Sequence, residues 1–147
     1  MMINYNFDHV FYPGADMVLN TQTLREMLEM LIRVNLVFLN RARQLGYAVP
    51  SVYRSGVTYR RQDYWEPIPT LYKRQWGDCK SIPAALIAEQ RFQGIHSEPA
   101  FRWAESEKGD NSLEWHILVQ LGNQFDDPCR KLGMGANEVA RFYAAGH

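Results

Sequence analysis

The sequence predicts an α+β domain in which a long N-terminal helix and a second, shorter helix pack with a small antiparallel sheet. Three observations carry that prediction. Apolar residues recur at helical spacing from Thr23 toward Gly46, an apolar helical segment returns over Ile82 to Phe92, and three short strand-like segments separated by turn residues follow it. Helices followed by a run of antiparallel strands are the order of an α+β domain, whereas a parallel sheet alternates strand and helix along the chain.

The 147 residues, 46% of them apolar, are enough for one core. Residues 1–20 are rich in turn formers, with Pro13-Gly14 as a break, and read as an N-terminal arm ahead of one domain over 21–147. Thr23 and Glu26 have capping-box spacing, which places the start of the first helix at Thr23, and Leu24, Met27, Leu28, Leu31 and Ile32 give it an apolar stripe. Leu36 to Leu39 is apolar around most of the circumference, so the second half of this helix is expected to be buried on several sides. Residues 47–75 hold Pro50, Pro67 and Pro69 and keep no period, which predicts a structured loop with a short strand at Ser55–Arg60.

Pro83 lacks a backbone N–H and fits only a first turn, so the helix over Ile82–Phe92 has to begin close to Cys79; Gly94 ends it. Pro99–Ala104, Trp115–Leu121 and Gln124–Asp126 read as strands, with Lys108-Gly109-Asp110-Asn111 and Gly122-Asn123 as the turns between them. The tail carries a short helix near Asn137–Ala144.

Charge excludes some functions. Sixteen basic and sixteen acidic side chains cancel, so no overall field draws the chain to nucleic acid or to an anionic membrane. The local group Arg54, Arg60, Arg61, Lys73 and Arg74 is interrupted by Asp63 and Glu66 and reads as a mixed surface. The first helix has no unbroken apolar run longer than Leu36–Leu39, and the N-terminus shows neither a basic nor an apolar signal region, so a cytoplasmic protein without a membrane helix is expected. No cofactor is implied, and Cys79 and Cys129 lack the paired spacing of a zinc site. A disulfide between them would silence a nucleophile and does not suit a cytoplasm.

Chemistry concentrates on Cys79. A thiol attacks acyl carbon as thiolate, so its pKa near 8.5 has to be lowered, and the start of a helix and a nearby imidazolium both do that. Of His9, His96, His116 and His147, His116 has the best setting, because it lies in the segment His116 to Leu121, which can pack on the cysteine helix. Asp127 follows across the Gly122-Asn123 turn and can hold the ring, whereas strand alternation turns Asp126 away.

The motifs Trp76-Gly77-Asp78-Cys79-Lys80-Ser81, Gln93-Gly94-Ile95, Trp115 to Val119 and Phe125-Asp126-Asp127-Pro128 resemble the successive motifs of transglutaminase-like proteins. The resemblance covers roughly residues 55–134. Its closest form is the small transglutaminase-like proteins of tailed bacteriophages, in the segments Tyr53 to Val57, Trp65 to Pro69 and Asp127 to Met134. It implies a papain-type core, with the nucleophile-bearing helix packed on the sheet, and a catalytic triad of Cys79, His116 and Asp127. It also implies acyl transfer or amide hydrolysis on a peptide or protein substrate, with peptidase, amidase and cross-linking activities unresolved, in a host cytoplasm or in a virion.

The chain departs from the family at Lys80-Ser81, where an acidic pair is usual, and at Cys129, where serine or threonine is usual. The backbone N–H of Cys79 is the first candidate oxyanion donor, and Gln75 or Trp76 the second, with Trp76 equally suited to a cleft wall. The aromatic residues Tyr64, Trp65, Tyr72 and Trp76 either line an acceptor groove or cover the core. The alternative function is a non-catalytic part of a phage head, neck or tail that reuses the fold and contacts other phage structural proteins.

Overall fold

The computed structural model describes residues 17–109 and 113–144. Residues 1–16 of the expected arm, with His9, and His147, Asp110 and Asn111 lie outside the described residues, whereas residues 17–20, also expected in the arm, belong to the first helix. The order of elements is α1 (Met17–Gln44), a 3-10 turn (Val52–Arg54), β1 (Thr58–Tyr59), α2 (Ile68–Arg74), β2 (Trp76–Gly77), α3 (Ser81–Phe92), β3 (Glu98–Glu105), β4 (Leu113–Leu121), β5 (Gln124–Asp126), α4 (Pro128–Lys131) and α5 (Ala136–Tyr143). The α+β class, the long N-terminal helix and the small antiparallel sheet are all present.

In α1 the residues Leu24, Leu28, Leu31, Ile32, Asn35 and Leu39 are buried and form one stripe. Two expectations fail here. Thr23 does not open the helix: it lies inside it, with its hydroxyl donating to the Leu19 carbonyl at 2.9 Å, a back-bond that competes with the cap its spacing suggested. The second half is also not buried on several sides, because Val37 projects into solvent. Helix α3 covers most of its inner face, with α2 and β3 reaching parts of it.

The prolines account for a missed helix. Residues 68–74 were expected to be loop, yet Pro67 sits at the N-cap of α2 and Pro69 in its first turn, where a missing N–H removes no intrahelical bond. The buried Asn35 of α1 accepts the Ile68 N–H at 2.8 Å, capping α2 from another helix. The predicted strand at Ser55–Arg60 shrinks to β1, which pairs in parallel with β2.

The antiparallel sheet has the order β3-β4-β5, with Arg102 opposite His116 and Val119 opposite Asp126. All four residues from His116 to Val119 are buried, because the sheet is covered on both faces. Ile117 and Val119 join the main core with Ile82, Ala85 and Ile87 of α3. On the opposite face α5 packs against β3. The bidentate pair Arg91–Glu29, at 2.7 and 2.8 Å, ties α3 to α1.

Candidate active site

Cys79 leads into α3 through a turn capped by Asp78. The Asp78 carboxylate accepts the N–H groups of Lys80 at 3.0 Å and Ser81 at 3.3 Å, and its carbonyl accepts that of Ile82 at 3.1 Å. Helical bonding thus begins at Asp78, and the cap leaves the Cys79 N–H outside it. Lys80 and Ser81, where the resemblance implies an acidic pair, hold the preceding loop: Lys80 donates to the Gln62 carbonyl at 3.1 Å and pairs with Asp78, and the Ser81 hydroxyl accepts the Glu66 N–H at 3.1 Å. Gly77 allows this approach, since a Cβ there would stand 2.4 Å from Leu71 Cδ1.

The strand β5 stops at Asp126, opposite Val119, which leaves the preceding edge of β4 open. The cysteine takes that edge: its thiol donates to the Trp115 carbonyl at 3.5 Å, and the Ile117 N–H lies against the sulfur. The sulfur therefore contacts the backbone on both sides of His116.

His116 is fully buried and stacks on Phe142 of α5 at 5.1 Å. Its Nε2 is 2.8 Å from Asp127 Oδ2. A carboxylate can only accept, so Nε2 carries the hydrogen and Nδ1 is left as the basic nitrogen. Nδ1 is buried and has no hydrogen-bond partner among the described residues. His116 and Cys79 line the same cleft, about 370 Å³ in volume, whose rim includes Arg61, Glu114, Glu138 and Tyr59.

Asp127 is held at three points. Besides His116 it accepts the Tyr143 hydroxyl at 2.7 Å on the same oxygen and the Arg130 N–H at 3.0 Å on the other, which makes it the N-cap of α4. Burial raises its carboxyl pKa, but the hydrogen bond and charge of His116, with help from Tyr143 and Arg130, outweigh burial and hold it below the ordinary value. Asp126 is directed elsewhere, accepting the Tyr53 hydroxyl at 2.7 Å and pairing with Lys131 at 2.7 Å.

The thiol reverses the expected direction. Burial, assisted by the Asp78 carboxylate, pushes Cys79 up to about 12 against the opposing pull of Lys80 and the Ile117 N–H. Desolvation in this packed setting outweighs the partial charge of the helix start, so the thiol is neutral at rest. Cys129 lies wholly buried in α4, is likewise pushed up by burial, and forms no disulfide with Cys79. Among the described residues no cluster of His, Cys, Asp or Glu could hold a metal ion. No helix of the described chain is long and apolar enough to cross a membrane.

Gln75 and Trp76 are not brought to the cleft. Gln75 caps α2 at φ 69°, and its amide donates to the carbonyls of Ser55 at 2.9 Å and Tyr72 at 2.7 Å, so its donors are already committed. Trp76 lies between the guanidinium groups of Arg60 at 4.8 Å and Arg74 at 4.6 Å. Tyr64, Trp65 and Tyr72 also stay outside the cleft: Tyr64 is exposed, Trp65 packs on the core, and Tyr72 lines a separate cavity. The sequence reading missed Phe142, Tyr143, Tyr59 and Glu138. The adjacent aromatics Phe142-Tyr143 in a short amphipathic tail helix were the one available signal. No family profile, curated protein or solved structure matches the chain.

Proposed function

We propose that this chain is a transglutaminase-like domain with a papain-type core, acting on peptide or protein amides or thioesters through Cys79, His116 and Asp127. The observation that carries the proposal is the buried, unpartnered Nδ1 of His116, in the same cleft as a thiol bonded to the strand on either side of it. A helix that follows directly on a cysteine and packs on the histidine strand is the arrangement such a core requires, and it supports the fold assignment.

The neutral thiol sets the order of events. The Cys79 S–H bond breaks as sulfur attacks the acyl carbon, and the proton passes to Nδ1 of His116. Asp127 holds the Nε2–H and stabilises the imidazolium that results. The Cys79 N–H, outside the Asp78 cap, is placed to donate to the oxyanion. Collapse of the adduct expels the amine or thiol leaving group, which takes the proton from Nδ1; water or an amine then attacks the thioester, giving its proton to Nδ1, and the C–S bond breaks as that proton passes to sulfur to restore the Cys79 thiol. The peptidase, amidase and cross-linking versions share these steps and differ in pocket shape and in the final acceptor, water or an amine.

A second reading is favoured by the high thiol pKa and the bond to Trp115: a non-catalytic component of a tailed-phage particle that keeps the fold. Thiol labelling separates the two. If the triad operates, iodoacetamide modifies Cys79 far faster than Cys129, and His116→Ala slows Cys79. Equal, slow labelling of both thiols in the native protein would favour the structural component.

A further inference from the structure

We propose that the outward face of α1 is a self-association surface on which a second copy of this chain packs antiparallel about a two-fold axis. This inference is independent of the chemistry at Cys79. Opposite the buried stripe, Met30, Val34, Val37 and Leu45 are 46%, 48%, 70% and 52% exposed. Met30, Val34 and Val37 are four and three residues apart, so they lie on one face of the helix, and Leu45 continues it just beyond the last turn. A solvated helix face is ordinarily polar, and an apolar stripe of this kind marks a contact surface.

Charge selects the occupant and its direction. Exposed Glu26 lies one turn before Met30, and exposed Arg41 one turn after Val37. Neither forms an ion pair among the described residues, and Arg41 reaches only the Gln44 side-chain oxygen at 3.4 Å. In an antiparallel pair centred between Arg33 and Val34, Met30 faces Val37 of the second copy and Glu26 faces its Arg41, so apolar and charged contacts are satisfied together. The Arg33 stem covers Val34 of the second copy with its head in solvent. A parallel pair in the same register would set Glu26 on Glu26 and Arg41 on Arg41. The surface is thus self-complementary in one direction only. From Glu26 to Arg41 it runs about 22 Å at 1.5 Å per residue, which with one helix width falls below the roughly 800 Å² per partner of a stable complex. The dimer is therefore of the weak, reversible class.

Sedimentation equilibrium of the full chain over a concentration series tests this. The expected result is a monomer–dimer equilibrium, abolished by Val37→Asp with the unfolding midpoint unchanged. Glu26→Arg and Arg41→Glu each weaken dimerisation roughly tenfold, because two symmetric contacts turn from attraction to repulsion, and the double variant restores it. A monomer at every concentration overturns the proposal, as does a dimer that survives Val37→Asp. Failure of the double variant to recover overturns the antiparallel register. A chain that dimerises only after removal of residues 1–16 assigns the stripe to that segment, and also overturns it.

Discussion

Replacing Asp127 with alanine removes the group that links the β4 histidine to α4 and α5. The change strands the Nε2–H of a fully buried imidazole whose Nδ1 already lacks a partner, a loss of about 1–3 kcal/mol for an unsatisfied buried donor. It also takes away the N-cap of α4, worth about 1 kcal/mol. Tyr143 is only half-buried and can turn its hydroxyl to water, so it adds little. The expected destabilisation is about 2–4 kcal/mol, measured by urea unfolding at neutral pH. Asp127→Asn keeps one acceptor oxygen in place of two, so it can serve the ring or the Arg130 N–H but not both, and is expected to recover about half of the loss. Because the folded carboxyl titrates below its ordinary 3.8, its contribution is present above that value and is lost as pH falls through the lower folded value. The gap between wild type and Asp127→Ala must therefore narrow in acid. An alanine variant within about 0.5 kcal/mol of wild type, the range of an ordinary surface substitution, or a gap that widens as pH falls, would refute the assignment of Asp127 as the anchor of His116.

Other substitutions probe the surroundings of the site. Gly77→Ala puts a methyl group 2.4 Å from Leu71 Cδ1, which is fully buried, and is expected to cost about 1–3 kcal/mol in thermal or chemical unfolding. Gln75→Ala breaks two bonds to carbonyls and lowers stability, but leaves the rate of Cys79 acylation unchanged, since Gln75 does not line the cleft; a slower rate with unchanged stability would return it to the oxyanion site. Asn35→Leu orphans the Ile68 N–H in the core, and urea unfolding is expected to show a loss of about 1–3 kcal/mol.

How much of this was legible in the sequence depended on whether the signal was local. The helix around Ile82–Phe92, the three strands and the tail helix rest on periodicity and turn residues, and each lies within a few residues of its expected place. The positions of Cys79, His116 and Asp127 followed from that local reading, since the turn into α3, the middle of β4 and the residue after β5 come from chain order. What was hidden depends on distant partners. Helix α2 is capped by Asn35, more than thirty residues away in sequence. Phe142 meets the histidine, and Tyr143 its aspartate, only because α5 folds back over the sheet. The direction of the thiol pKa depends on burial and on Asp78, which a helix-start argument does not weigh. Gln75 failed as an oxyanion donor because its left-handed backbone at the end of α2 sends the amide to Ser55 and Tyr72.

The central claim is that His116 takes the proton of a neutral Cys79 thiol as sulfur attacks an acyl carbon. Its direct test is single-turnover acylation by an activated ester, followed by intact mass and peptide mapping. One acyl group on Cys79 and none on Cys129 is predicted, with the adduct absent in Cys79→Ala and formed about a hundredfold or more slowly in His116→Ala. Acylation that proceeds at the wild-type rate without the His116 imidazole, or that falls equally on Cys129, would contradict it.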